Sequence, residues 1–238
     1  MTNIACWSGP RNLSTAMMYA FGARRDCAVL DEPFYAAYLA ATGLDHPMST
    51  EIIAAGQTDP KIVAAACGTQ PTSTAHCYQK HMSHHMIEAF DRSWFSQVRH
   101  VFLIRHPARV LASYAAKRAA PSLADIGFVQ QCALYETVVA AGYPAVVIDS
   151  YDVRQAPGSM LRALCQALAL TFDPAMLSWP RGGHPSEGIW AAHWYDGVHA
   201  STGFAGPEGP LPELSSTLSS VADAAMPYYT KLKNVALR

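Results

Sequence analysis

Five short apolar runs, each closed by polar or charged residues and followed by a stretch of helical spacing, constrain this chain more than any other feature. They are Asn3–Trp7, Cys27–Leu30, Thr74–Tyr78, Val101–Ile104 and Ala145–Asp149. Such alternation predicts an α/β fold, a three-layer α/β/α sandwich with a central parallel sheet whose ligands bind beyond the carboxyl ends of the strands. Val101–Ile104 is apolar at every position, as a strand buried on both faces must be, and is expected near the centre of the sheet.

Helical spacing is expected from Leu13 to Phe21, from Phe34 to Thr42, in one or two pieces over 49–68, and from Pro107 to about Lys117. Further helices are expected from Leu123 to Gly142, near 158–169 and 173–179, and from about Glu213 to Leu232. Pro107 suits a first helical turn, where no backbone N–H is needed. From Pro180 to Pro212 the composition shifts to Gly, Pro, His, Ser and Trp, which predicts an irregular segment covering the site rather than a linker. At 238 residues, a single domain over 1–238 is expected.

Half of the residues are hydrophobic, and 17 Lys and Arg stand against 18 Asp and Glu. That balance describes a folded globule and argues against nucleic acid or an anionic membrane as partner. No run of about 18 apolar residues is present, so no membrane span is expected, and Met1 to Trp7 leads into a strand rather than a leader. The six cysteines form no C-x-x-C pair, which predicts reduced thiols and a cytoplasmic location. Oligomeric state is not legible here, and a homodimer stays open.

The first strand runs into Trp7-Ser8-Gly9-Pro10-Arg11-Asn12-Leu13-Ser14-Thr15. A strand–loop–helix joint of this kind directs backbone N–H groups at an anion held on the helix dipole. The G-x-x-x-x-G-K-[ST] pattern of nucleotide triphosphatases is missing, and Arg11 is the loop's cation. A guanidinium with the Ser14 and Thr15 hydroxyls can grip phosphate or sulfate without a metal. An ordinary turn with Asn12 or Ser14 capping the helix is the plainer alternative.

A second anion motif follows the strongest strand. Arg105 leaves its carboxyl end, Pro107 comes two residues on, and Ser113 follows eight residues after Arg105 on the next helix. Together with the R-x-x-S-T loop, this pattern resembles the two donor-binding motifs of sulfotransferases, and the similarity covers roughly residues 3–180. The resemblance implies a P-loop NTPase-like fold and transfer of a sulfuryl group from 3′-phosphoadenosine 5′-phosphosulfate to a small-molecule acceptor, with no metal. It implies that Arg11, Asn12, Leu13, Ser14 and Thr15 form the 5′-phosphosulfate loop and that Arg105 and Ser113 hold the 3′-phosphate. Arg181-Gly182, with Gly188-Ile189-Trp190 behind it, echoes the family's donor clamp without its usual basic ending.

Sulfuryl transfer needs positive charge at the sulfuryl oxygens and a base for the acceptor proton. Arg11 and Lys80 are the candidates for charge, and Glu32 or His81 for the base; cytosolic members carry a lysine and a histidine after the third strand, spaced K-x-H rather than adjacent as here. His84 and His85 compete as bases, and with His81 form a possible metal grouping. Residues Trp190 to Tyr195 could wall an acceptor pocket or stack on adenine.

Two other classes remain open. Asp31 could end a magnesium-holding strand of a kinase or nucleotide hydrolase, or Asp31-Glu32-Pro33 could simply cap a helix. The displaced Lys80-His81 pair would also suit a nucleotide-binding module that has lost turnover. The first 45 residues further resemble a sulfotransferase-like group labelled after branched-chain aminotransferases, although no cofactor motif here supports aminotransfer.

Overall fold

A central parallel strand has to bury side chains on both faces while pairing its backbone on both edges. Strand β1 (Thr2–Ser8) does so: Ile4, Ala5, Cys6 and Trp7 are all fully buried. The computed structural model describes residues 2–69, 73–116 and 120–238. After β1 come α1 (Ser14–Gly22), β2 (Cys27–Asp31), α2 (Tyr35–Thr42), α3 (Ser49–Ala55), α4 (Pro60–Gly68) and β3 (His76–Met82). Then follow β4 (Arg99–Ile104), α5 (Pro107–Ala115), α6 (Phe128–Ala140), β5 (Ala145–Asp149), α7 (Ser150–Gln155) and α8 (Pro157–Ala167). Two short helices, α9 (Ala191–Trp194) and α10 (Asp196–His199), interrupt the irregular segment before the long α11 (Ser216–Lys233).

Among the described residues the sheet has five strands in the order β2-β3-β1-β4-β5, all parallel. Successive side chains point to opposite faces. Ile4, Cys6, Tyr78, Val101 and Leu103 pack toward α1 and α8, whereas Ala5, Trp7, Phe102 and Ile104 pack toward α4 and α6. The chain runs from β1 out to β2, back through β3, then across β1 to β4. This reversal opens a crevice at the carboxyl ends of β1, β3 and β4, where ligands of open α/β sheets bind. At one edge, Leu237 N–H donates to Val147 O of β5 at 2.9 Å, so the C-terminal tail protects exposed strand backbone.

The main departures from the sequence reading have physical causes. Strand β3 extends to Met82, so Lys80 and His81 lie within it rather than after it. Its Gln79, Lys80 and His81 are buried and paired, so an apolar-run criterion stops too early. Helix α6 starts at Phe128, and α7 is a short extra helix nucleated by the Asp149 carboxylate, which accepts from Tyr151 N–H at 2.9 Å. The helix expected near 173–179 is a single 3-10 turn over Pro174–Leu177. Helix α5 is described to Ala115 and its expected end at Lys117 lies outside the described residues.

Candidate active site

The loop between β1 and α1 is fixed from beneath. The Asn12 side chain donates to Leu103 O at 3.2 Å, and the Gln131 amide donates to both Trp7 O and Leu103 O at 2.9 Å, tying the tips of β1 and β4 together. Gly9 is required because a Cβ there would stand 2.4 Å from Ile126 O. Above this floor Arg11 and Leu13 adopt positive φ, 62° and 73°, and Glu32 does so at 43°. Non-glycine residues rarely occupy that region, and strain of this kind concentrates at functional sites. Helix α1 starts after the left-handed Leu13 with no described side chain capping it and no acid in its first turn. Its first N–H groups therefore face the crevice.

The crevice holds a cavity of about 270 Å³, lined by Arg11, Leu13, Ser14, Thr15, Arg105 and Ser113 together with Glu32, Lys80, Tyr35, His46, His84, His85, Trp194 and Tyr195. Arg11 Nε donates to Ser113 Oγ at 2.9 Å, and Arg105 donates to Arg11 O at 2.8 Å. Arg11 also reaches Trp194 O at 3.3 Å. Burial, and then the neighbouring Arg105 charge, lowers the Arg11 pKa, with Asp196 opposing. Arg105 also pairs with Glu208, so one of the two arginines is held by an internal carboxylate.

Beside the anion loop lies a buried polar cluster. Lys80 Nζ, 1% exposed, contacts Glu32, lies 3.0 Å from Asp31 Oδ1 and donates to the Tyr195 hydroxyl at 2.5 Å. Tyr195 in turn donates to Asp31 at 2.8 Å, and Trp190 Nε1 donates to Tyr195 at 3.1 Å. Burial raises the Glu32 pKa, with Asp31 adding to the effect and Lys80 opposing it. For Lys80, burial disfavours the ammonium, but the Asp31 and Glu32 charges outweigh it and raise the pKa. A protonated lysine and a carboxylate poised above its ordinary range thus face the same cavity.

The structure separates the other candidates. Adjacent strand residues face opposite sides of a sheet, so His81 points away from Lys80's face. It stacks on Trp7 with ring centres 4.5 Å apart and contacts Gln79 Oε1 at 3.1 Å. Burial pushes its pKa down to about 3, and it does not line the cavity; the expectation that it could take the acceptor proton is corrected. Asn12 supports the loop from below rather than lining it. Arg181 is exposed, and Gly182 donates to His199 O at 3.0 Å and accepts from Tyr19 at 3.1 Å. Neither lines the cavity, so that echo of a donor clamp lies outside it. Asp31 is spent on Lys80 and Tyr195. Trp194 and Tyr195 do wall the cavity, whereas Trp190 stands behind them. Among the described residues no three His, Cys, Asp or Glu side chains are grouped to hold a metal. The aromatic run that ends at Tyr195 signals a pocket wall but not the bonds of its hydroxyl to Lys80 and Asp31, and no local signal in the sequence singles out Glu208; both reach the site from the irregular segment.

A five-stranded parallel sheet of this order, with an arginine-bearing loop after its central strand, defines a P-loop-like α/β fold. Within that class, the chain belongs to the sulfotransferase domain family, whose description matches residues 2–236. It is similar to branched-chain-amino-acid aminotransferase-like proteins 1 and 2 of Arabidopsis thaliana, at 33% identity over 97% of this chain and 35% over 98%. The chain spans about two-fifths of those curated relatives, 41% and 42% of their lengths. In fold it is similar to the sulfotransferase domain of the Synechococcus PCC 7002 olefin synthase, with TM-score 0.53, 17% identity and 94% of each chain covered. It is likewise similar to a sulfotransferase from Alicyclobacillus acidocaldarius, with TM-score 0.56, 10% identity, and 98% of this chain and 95% of that one covered.

Proposed function

We propose that this chain transfers the sulfuryl group of 3′-phosphoadenosine 5′-phosphosulfate to a hydroxyl or amine of a small-molecule acceptor. The observation that carries the reading is the direct hydrogen bond from Arg11 to Ser113, which merges the loop after β1 and the motif after β4 into one cationic surface. In this reading Arg11, Ser14, Thr15 and the first N–H groups of α1 hold the 5′-phosphosulfate, and Arg105 and Ser113 hold the 3′-phosphate. The acceptor oxygen or nitrogen forms a bond to sulfur as the sulfur–oxygen bond to the 5′-phosphate breaks. Its proton goes to Glu32, and Lys80, oriented by Asp31 and Tyr195, offsets charge on the sulfuryl oxygens and the leaving phosphate. The acceptor lies against Tyr35, His46, His85 and Trp194, an aromatic wall with no fixed charge when its imidazoles are neutral.

All six cysteines are buried and free, which fits the reducing cytoplasm. No helix among the described residues is long and apolar enough to cross a membrane. Calorimetric titration with adenosine 3′,5′-bisphosphate tests the reading directly. Saturable binding to the folded chain without magnesium is expected, and an absence of binding would overturn it.

A further inference from the structure

Glu208 sits in Gly206-Pro207-Glu208-Gly209-Pro210, within the segment that the sequence marks only as irregular. Residues 205–207 and 209–211 are exposed, so Glu208 is the buried anchor of this stretch. Its side chain is 1% exposed, and three arginines among the described residues close on it from three different elements. Arg105, at the tip of β4, contacts it directly. Arg154 of α7 donates to Oε1 at 2.8 Å, and Arg109 of α5 places Nε 2.9 Å from Oε2.

A buried carboxylate needs compensating charge, but here the compensation overshoots: three guanidinium groups face one carboxylate. Neighbouring acids do not make up the difference. Asp149 accepts from Tyr229 at 2.8 Å and lies 2.9 Å from Lys233, which also pairs with Asp152 at 2.6 Å. The fit is imperfect as well, since neither Glu208 Oε2 nor Arg105 Nε has an aligned hydrogen bond among the described residues. A carboxylate offers two oxygens and one charge, whereas a phosphate monoester offers three oxygens and nearly two charges. Ser201, Gly203 and Ala205, just ahead of Glu208, line the same cavity as Arg105, whereas Arg109 and Arg154 touch Glu208 without lining that cavity.

We propose that Arg105, Arg109 and Arg154 form one site for a phosphate-monoester dianion, and that Glu208 is an internal stand-in that withdraws before the ligand seats. The identity of that ligand as the donor's 3′-phosphate rests on the function proposed above; the anion site itself does not. Withdrawal also releases backbone contacts, among them the bond from Arg154 Nε to Gly206 O at 2.9 Å, so residues 201–209 act as a strap.

The whole chain serves as the test material, with adenosine 3′,5′-bisphosphate and inorganic phosphate as separate probes in calorimetry. If the open strap is populated about one-tenth of the time, Glu208→Gln binds both probes about tenfold more tightly than the parent, and Arg154→Met binds both more weakly. On the unsubstituted chain, hydrogen exchange at residues 203–211 is expected to rise when adenosine 3′,5′-bisphosphate binds, a readout that decides the matter even if Glu208→Gln fails to fold. Parent binding with unchanged or weaker affinity in Glu208→Gln, or a fall in exchange on binding, overturns the stand-in while the donor reading survives. Phosphate binding gained by Glu208→Gln with no response to the bisphosphate leaves the anion site standing and removes the donor reading. Failure of both proteins to bind either probe overturns the site.

Discussion

Arg11 Nε donates to Ser113 Oγ at 2.9 Å, joining two residues 102 positions apart in sequence. The bond fixes the loop after β1 against the helix after β4, so these two side chains are oriented by each other before any phosphate is proposed to reach them. Ser113→Ala removes one hydrogen bond to a charged partner and is expected to weaken adenosine 3′,5′-bisphosphate about tenfold or somewhat more. Arg11→Lys keeps the charge but loses the rigid planar fork that meets Ser113 and a phosphate in fixed directions, and the larger loss is expected there. Calorimetry on the two variants checks the order; equal affinities in both and in the parent would contradict the alignment.

Glu32 combines burial, a raised pKa and a strained backbone at the cavity wall. As the base it acts when ionised, so kcat should be low in acid and rise with pH through a midpoint above the ordinary carboxylate value of 4.5. Glu32→Gln should lower kcat by about 10²- to 10⁴-fold and abolish that acidic limb. Donor affinity should change little. Retention of the limb in the variant would assign the base to another group.

Among the described residues Lys80 is the one cation that touches both Asp31 and Glu32 in the buried cluster. Lys80→Met leaves two carboxylates close together without compensation and is expected to destabilise the fold by about 3–5 kcal/mol at neutral pH. Glu32, already raised by burial, would lose the opposing Lys80 charge and titrate higher still in the folded chain than in the unfolded one, so the folded state binds more protons and stability falls as pH rises. The variant should therefore recover part of its stability on acidification toward pH 5. Urea unfolding at two pH values reads this sign.

The layout of the sheet was legible because its strands are short apolar runs and its helices keep their spacing; β5 and the cores of β1 and β4 lie where periodicity puts them. The loop after β1 was legible as a cavity-lining element because Arg11, Ser14 and Thr15 are local. Boundaries failed where buried positions carry polar groups, as at Gln79, Lys80 and His81, whose burial depends on partners distant in the chain. Asp31 illustrates the same limit: beside Pro33 it reads as a cap or a metal ligand, yet its partners are Lys80, 49 residues on, and Tyr195, 164 residues on. The alternation of side chains along β3 does decide between Lys80 and His81, but only once the strand is known to include both.

Three imidazoles at or near the sheet tie its stability to acid. His81, His85 and His100 are 2%, 3% and 0% exposed, and burial pushes His81 down to about 3, His100 to about 4 and His85 well below the ordinary 6.5. His100 shows why the neutral ring is kept: Nδ1 accepts from Trp7 Nε1 at 3.1 Å while Nε2 faces Phe95 O at 3.0 Å, an arrangement that places its single proton on Nε2. Between pH 6.5 and about 4 the unfolded chain takes up a proton at each ring that the folded chain refuses, so stability is present above this window and lost as pH falls into it. Each ring contributes about 1.4 kcal/mol per pH unit inside its window. Urea unfolding from pH 6.5 to 4.5 should show a steep decline. His81→Phe, which keeps the ring contacts with Trp7, Phe34 and Trp94, should reduce the slope by about one proton. A parent stability that is flat across this range would show that these rings are protonated inside the fold.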